Sequence, residues 1–147
     1  MKKSIKVLVC ALVAVLALAF TGCGKKADAV ENGTKANGLY ATIQDYIDSD
    51  LVQEQMKTLM DSMDGSGMEM KMFAEGDTLV YEYRYTDIEK MDGMAEALEE
   101  GLEAQASTFT STATSLKTFI DVANPKVDIR YIDSKGVLIY SKIFEAE

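Results

Sequence analysis

The chain has 147 residues, a net charge of −9 at pH 7, two cysteines, one proline and neither histidine nor tryptophan. This length suits one domain with a modest hydrophobic core. The negative charge argues against nucleic acid as a partner and against electrostatic docking on anionic lipid. Because histidine is absent and no cysteine follows Cys23, Ser–His and Cys–His catalytic pairs and most zinc sites are excluded.

The first element is typical of an export signal. Lys2, Lys3 and Lys6 form a basic tip, and an unbroken apolar run follows over residues 7–20. As a helix this run would be about 21 Å long, too short for the ~30 Å hydrocarbon core of a bilayer. The pattern therefore predicts a signal peptide rather than a transmembrane helix.

The signal ends in Phe20-Thr21-Gly22-Cys23, which resembles the lipobox of bacterial lipoproteins, where a peptidase cuts before a diacylated cysteine. Phe20 stands where that pattern usually has leucine. Residues 1–22 are the predicted lipoprotein signal peptide, and Cys23 is the predicted lipidation site, carrying acyl chains such as palmitate. Two acyl chains hold a protein stably at a membrane. An ordinary thiol at Cys23 in an uncleaved anchor is the alternative.

Residues 23–37 are predicted to be the lipidated cysteine and a flexible tether, because they are small, polar and without period. Residues 38–147 are the predicted single globular domain on the extracytoplasmic side. Its first part has helical spacing, and Asp50 with Gln53 forms a capping pair, which favours a short helix followed by a longer one. Asp64-Gly65-Ser66-Gly67 ends the second helix; it superficially resembles a calcium loop, but the closing position that needs glutamate holds another residue.

Two segments with alternating side chains then predict a β-hairpin around Glu75-Gly76-Asp77. One face of the first strand carries the methionine row: Met68, Met70 and Met72. One face of the second strand carries the tyrosine row: Tyr81, Tyr83 and Tyr85.

After this hairpin, Thr86 and Glu89 form a second capping box that opens a helical stretch reaching about Ala123. Gly, Ser and Thr residues weaken the stretch and predict a kink or break near residues 105–111. A second hairpin follows, with its turn at Asp133-Ser134-Lys135-Gly136. The order helix–hairpin–helix–hairpin predicts an α+β fold, a four-stranded antiparallel sheet with helices packed on one face.

The lipobox, the short tether and this order of elements, ending in Gly136-Val137-Leu138-Ile139-Tyr140, resemble a family of uncharacterised small bacterial lipoproteins. The globular part of that family is a domain of unknown function. The resemblance covers roughly residues 38–147. It implies surface display of the Gram-positive type and supplies no catalytic residue.

The two rows on the first hairpin are the candidate sites. Thioethers bind soft Cu(I), so the methionine row makes an extracytoplasmic Cu(I)-binding protein the alternative function. The tyrosine row is a candidate ligand-binding surface for a sugar or a peptide. For both rows, packing in the core is the favoured interpretation, because methionine fills gaps readily and the alternation places the rows on the core face.

Catalysis has little support in the sequence. Four carboxylates share one face of the second helical stretch: Glu96, Glu99, Glu100 and Glu103. Residues at this spacing are neighbours on a helix, so carboxylate-based hydrolysis is the third function considered, although a solvated face is the favoured explanation.

We therefore predict a membrane-anchored cell-envelope lipoprotein that acts as a non-enzymatic binding module without a cofactor. Its predicted partners are the lipid membrane, through acylated Cys23, and an envelope protein, peptide or glycan that the sequence does not identify.

Overall fold

The computed structural model describes residues 40–147. The predicted signal peptide, Cys23 and the tether lie outside the described residues. The described part contains four helices and four strands. In chain order these are α1 Ile43–Ile47, α2 Asp50–Met63, β1 Met68–Glu75, β2 Thr78–Tyr85, α3 Met94–Glu103, α4 Ala106–Phe119, β3 Lys126–Ile132 and β4 Leu138–Glu145.

The four strands form one mixed sheet in the order β1-β2-β3-β4. The β1–β2 and β3–β4 pairs are antiparallel, as predicted. Four helices together with a mostly antiparallel sheet confirm the α+β class. The prediction of a wholly antiparallel sheet is wrong, because β2 and β3 are parallel. Two helices join β2 to β3, and a crossover of that length returns the chain to the same end of the sheet.

The first two helices are short and long, as the spacing predicts. Thr42 caps α1, since its hydroxyl oxygen accepts from the Asp45 N–H at 3.0 Å. The N-cap of α2 is Ser49, one residue before the predicted Asp50. The Gln53 side chain donates to the Ile47 carbonyl at 2.9 Å and thereby ties α2 to α1.

The predicted capping box at Thr86 and Glu89 does not open a helix. Residues 86–93 form a loop, and α3 begins at Met94, after Gly93 in the left-handed region at φ +84°. Glu89 instead pairs with Lys135 at 2.9 Å. The break in the helical stretch lies at residues 104–105, at the start of the predicted interval.

Hydrogen bonds to Asp133 explain why residues 86–93 form a loop instead of the helix that Thr86 and Glu89 predict. Its carboxylate accepts backbone N–H bonds from Lys90, Val137 and Lys135 at 3.0, 2.8 and 2.9 Å. These bonds, that of Lys90 foremost, hold the pKa of Asp133 below its usual range. One buried carboxylate thus joins the loop after β2 to the turn between β3 and β4.

The core is one buried apolar cluster that contains residues of both the sheet and the helices. Leu79, Tyr81 and Tyr83 of β2 face Val127, Ile129 and Tyr131 of β3 in register. These six side chains belong to one buried apolar cluster with residues from all four helices, among them Ile43, Val52, Leu98, Leu102, Phe109 and Leu116. None of the helices within residues 40–147 has both the length and the apolar character needed to span a bilayer.

Candidate functional site

The tyrosine row lies in the core. Tyr81, Tyr83 and Tyr85 are each at most 3% exposed; they lie on an interior strand and belong to the buried apolar cluster. Tyr83 stacks on Tyr131 with 5.2 Å between ring centroids. These side chains are therefore part of the buried apolar cluster.

Two hydroxyl groups in this row are unusual. The oxygens of Tyr81 and Tyr83 are buried and have no hydrogen-bond partner in the part of the chain that the structure describes. Burial raises the pKa of both phenols well above the usual value, and nearby tyrosines raise it further. Burial likewise raises the pKa of Tyr46 to about 12. The phenols of Tyr46, Tyr81 and Tyr83 therefore keep their protons, and stay neutral, above the pH at which a free tyrosine ionises.

The methionine row lies on β1, at one edge of the sheet. Met68 and Met70 are 6% and 4% exposed, whereas Met72 is half-buried. Met68 and Met70, but not Met72, also line an open groove of about 960 Å³ that runs beside the first half of β1.

This cavity, the β1 groove, is built from four segments: the end of α2, the loop after it, the first half of β1 and the residues after β2. Its lining residues are Met60, Asp61, Met63, Asp64, Gly65, Gly67, Met68, Glu69, Met70, Lys71, Thr86 and Asp87.

The loop between α2 and β1 fixes the shape of the groove. Gly65 and Gly67 have φ angles of +75° and +77°, which favour glycine, and they let the chain reverse from the helix into the strand. The Ser66 N–H donates to the Met63 carbonyl at 2.9 Å, and the Thr86 N–H donates to the Gly67 carbonyl at 3.0 Å. The groove therefore has a defined wall at its loop end.

The rim of the groove is acidic. Asp61, Asp64, Glu69 and Asp87 are exposed, and Lys71 is the one basic residue in the lining. Within residues 40–147, none of these four carboxylates lies in an ion pair with lysine or arginine. Asp87 accepts a hydrogen bond from the Thr86 hydroxyl at 3.1 Å. The excess of carboxylates over the one lysine in the lining makes the groove attractive to cations.

The backbone of β1 also faces the groove. Gly67 bonds to Thr86 across the antiparallel pair, and hydrogen-bonded pairs recur at every second residue. Glu69 and Lys71 therefore direct their N–H and C=O groups toward β2. Met68 and Met70 direct theirs away from β2, toward the free edge.

On the other face of the sheet, Arg130 links β3 to β1. Its guanidinium donates to both Glu75 oxygens at 2.9 and 2.6 Å and to Asp128 at 2.7 Å. The hydrogen bond from Arg130 lowers the pKa of Glu75. This cluster links β1 to β3 across β2 and has a structural role that the sequence did not indicate.

The four carboxylates of α3 lie on its exposed side, and Glu103 pairs with Lys142 of β4 at 3.3 Å. Among residues 40–147, no group of three or more carboxylate or cysteine side chains could jointly hold a metal ion. The placement of these residues adds nothing in favour of hydrolysis.

Sequence reasoning did not identify the β1 groove, although two signals bear on it. The loop Asp64-Gly65-Ser66-Gly67 superficially resembles a calcium loop, and Met60 and Met63 stand at helical i, i+3 spacing. Neither signal shows that Asp87, which follows β2, completes the same rim.

The chain was compared with protein families, curated proteins and solved structures. A family model described as a domain of unknown function (DUF4854) matches residues 43–144. No curated protein and no solved structure matches.

Proposed function

We propose that this chain, which belongs to the family described as a domain of unknown function (DUF4854), is a binding module. In this proposal acyl chains on Cys23 hold it at the outer surface of the cell membrane, and the β1 groove is its binding site. The observation that carries the proposal is the groove itself, an open cavity of about 960 Å³ with a predominantly acidic rim. Ligand pockets commonly have volumes of roughly 300–1,000 Å³.

The position of the groove suits an anchored protein. Tyr40, the first described residue, bonds to Phe119 and Asp121 at the end of α4, at 2.7 and 2.8 Å. Lys117 of α4 donates to the carbonyl of Glu147, which follows the end of β4. That end of β4 pairs with the start of β3, whereas the groove lies where β2 and β3 finish. The chain therefore enters the domain at the end of the sheet opposite to the groove.

The arrangement of the helices supports the same proposal. We infer that the helices of the helix–hairpin–helix–hairpin order pack on the tyrosine-row face, since apolar residues of all four share its buried cluster. The opposite face carries the Arg130 cluster. Both faces of the sheet beside β2 and β3 are thus occupied by the protein's own side chains, whereas the β1 groove at the sheet edge is open.

A soft-metal site is the second candidate, because four thioethers line the groove: Met60, Met63, Met68 and Met70. Thioether sulfur is a ligand for Cu(I). The test is a Cu(I) titration of the chain against a competing chelator. A dissociation constant weaker than roughly micromolar would exclude this candidate.

Binding at the groove is tested by photo-crosslinking in cells that express the full chain. A benzoylphenylalanine replaces Met60 in the groove or, as a control, Leu51 on the same helix, since the two are similarly exposed at 46% and 51%. We expect a discrete adduct from position 60 that position 51 does not give. Adducts from neither position, or equal adducts from both, would contradict a binding site in the groove.

Anchoring is tested separately by mass spectrometry of the N-terminus. The proposal predicts a chain that begins at diacylated Cys23, and release from the membrane fraction when Cys23→Ser is introduced. Recovery of an intact segment from Met1 to Cys23 would overturn the lipoprotein assignment.

A further inference from the structure

We infer that the β1 groove binds an extended peptide segment rich in lysine or arginine, which adds to β1 as a fifth strand. This inference rests on the proposed function and names the ligand class for the same site. Three independent features carry it: the backbone of β1, the charge of the rim and the end of α2.

The backbone of β1 has unmet hydrogen-bonding capacity beside the groove. The N–H and C=O groups of Met68 and Met70 point away from β2, and no described residue bonds to them. Both residues line the groove, and an edge strand keeps one side of its backbone unpaired. A peptide backbone in the groove supplies the matching donors and acceptors, as in other cases of strand addition.

The side chains of β1 define what such a peptide would carry. Residues opposite Met68 and Met70 would lie on the side of the sheet where Met60 and Met63 also line the groove. The residues between them would lie on the side of Glu69. Because successive side chains of a strand point to opposite faces, alternation of apolar and basic residues fits both sides.

The charge at the end of α2 also favours a cationic ligand. Asp61 lies in the last turn, Asp64 is the C-cap, and that turn contains no basic residue. A helix C-terminus carries partial negative charge and is stabilised by cations, so two carboxylates there are unfavourable for the isolated domain. A lysine or arginine of the ligand would compensate the helix end and both carboxylates together.

The size of the groove limits the segment. Four consecutive residues of β1, Met68 to Lys71, line it, which corresponds to about 13 Å of strand. A segment of four or five residues is therefore held. A second copy of this chain is the less favoured occupant, because both edges would bring acidic rims together.

The probe is a capped heptapeptide of alternating lysine and valine, titrated into the full-length chain in detergent and followed by fluorescence anisotropy. We expect a dissociation constant of about 100 µM or tighter. The same peptide with glutamate in place of lysine is expected not to bind. Absence of binding by the lysine peptide would overturn the inference.

Two N-methylated peptides of identical composition test strand addition. In an antiparallel strand the valine N–H groups would bond to Met68 and Met70, and in a parallel strand the lysine N–H groups would do so. Methylation of the valine nitrogens and methylation of the lysine nitrogens should therefore have unequal effects, one of them abolishing binding. Equal affinities of the two methylated peptides would overturn strand addition.

The rim is tested with a matched pair of double variants. Asp61→Asn with Asp64→Asn should weaken binding of the lysine peptide by about tenfold, mainly at low salt. Glu54→Gln with Glu96→Gln removes the same charge from exposed helical positions outside the groove lining and should leave the affinity unchanged. Equal weakening in both variants would show that overall charge, rather than the groove, attracts the peptide.

The outcome separates this inference from the proposed function. An adduct at position 60 in cells without affinity for the lysine peptide would leave the groove as a binding site and remove the basic-peptide assignment. If neither the adduct at position 60 nor affinity for the lysine peptide is found, both the proposed binding site and the basic-peptide assignment are wrong.

Discussion

The methionine row and the tyrosine row have the same alternating pattern and lie on the same face of the sheet, but on different strands. The tyrosine row lies on an interior strand and is sealed in the core, with Tyr83 only 2% exposed. The methionine row lies on an edge strand, where Met68 and Met70 form the floor of an open groove. The place of a strand in the sheet, more than its residue types, decides which row can contact a ligand.

The difference has a physical basis. An interior strand has neighbours on both sides that use all its backbone hydrogen bonds, while an edge strand keeps one unpaired side. Perturbing the tyrosine row should therefore change folding, and perturbing the groove should change binding. The predictions below test that division, from the largest expected effect to the smallest.

The largest effect is expected at alkaline pH, through the tyrosines. Burial raises the pKa of Tyr46 to about 12 and holds that of Tyr81 and Tyr83 well above the usual value. Above pH ~10 the unfolded chain loses phenolic protons that the folded chain retains. The contribution of these tyrosines to the free energy of unfolding is therefore fully present below about pH 10. It falls as the pH rises, by up to about 1.4 kcal/mol per pH unit for each buried tyrosine.

This titration is followed by tyrosinate absorbance together with circular dichroism. The buried tyrosines should ionise only as the fold is lost, in one steep transition, and Tyr46→Phe should make the transition shallower. Ionisation near pH 10 with intact secondary structure would contradict the sealed core.

Truncating a side chain should cost much more stability in the tyrosine row than in the β1 groove. Tyr83→Ala removes a fully packed aromatic ring and should lower the free energy of unfolding by about 3–5 kcal/mol. Met60→Ala, at a position 46% exposed in the groove, should change it by about 0.5 kcal/mol or less. Both values come from urea denaturation, and similar losses in the two variants would mean that the groove wall is part of the core.

Removal of one oxygen should have a smaller effect of opposite sign. The Tyr83 hydroxyl is buried without a partner among the described residues, so Tyr83→Phe should raise the free energy of unfolding by about 1 kcal/mol. Tyr140 is the control, because its hydroxyl interacts with Glu99 and Tyr140→Phe should bring no gain. A loss of stability in Tyr83→Phe would indicate a hydrogen-bond partner such as a buried water.

The smallest effect is expected at the rim. Asp61 stands in the last turn of α2, where a negative charge opposes the helix dipole, so Asp61→Asn should stabilise the domain by about 0.3–1 kcal/mol. The same substitution should weaken the binding of a basic peptide. Thermal denaturation at low salt measures the gain, and a loss of stability would show that Asp61 has a structural role.

Much of the fold could be predicted from local patterns. The alternation of side chains predicts both hairpins. In the structure the first hairpin pairs Met68 with Tyr85 at one end and Glu75 with Thr78 at the other. The parallel β2–β3 pair could not be predicted in this way, because each hairpin specifies its own pairing and not its direction beside the other. The helix start at Thr86 was wrong because distant bonds to Asp133 outweigh a local capping signal.

The site was harder to predict than the fold. Methionines of the predicted row do reach the groove, but its charge comes from residues far apart in sequence, such as Asp61 and Asp87. That the backbone of Met68 and Met70 lacks a partner among residues 40–147 follows from their position at the sheet edge. No local pattern records either property, since both depend on how the strands are ordered.

Amide hydrogen exchange at Met68 and Met70 tests the central claim most directly. Their N–H groups have no partner among residues 40–147, whereas that of Glu69 is directed to β2. Saturation with the lysine–valine peptide should slow exchange at Met68 and Met70 by at least about tenfold and leave Glu69 nearly unchanged. Unchanged exchange at both methionines, with the peptide bound, would contradict strand addition in the β1 groove.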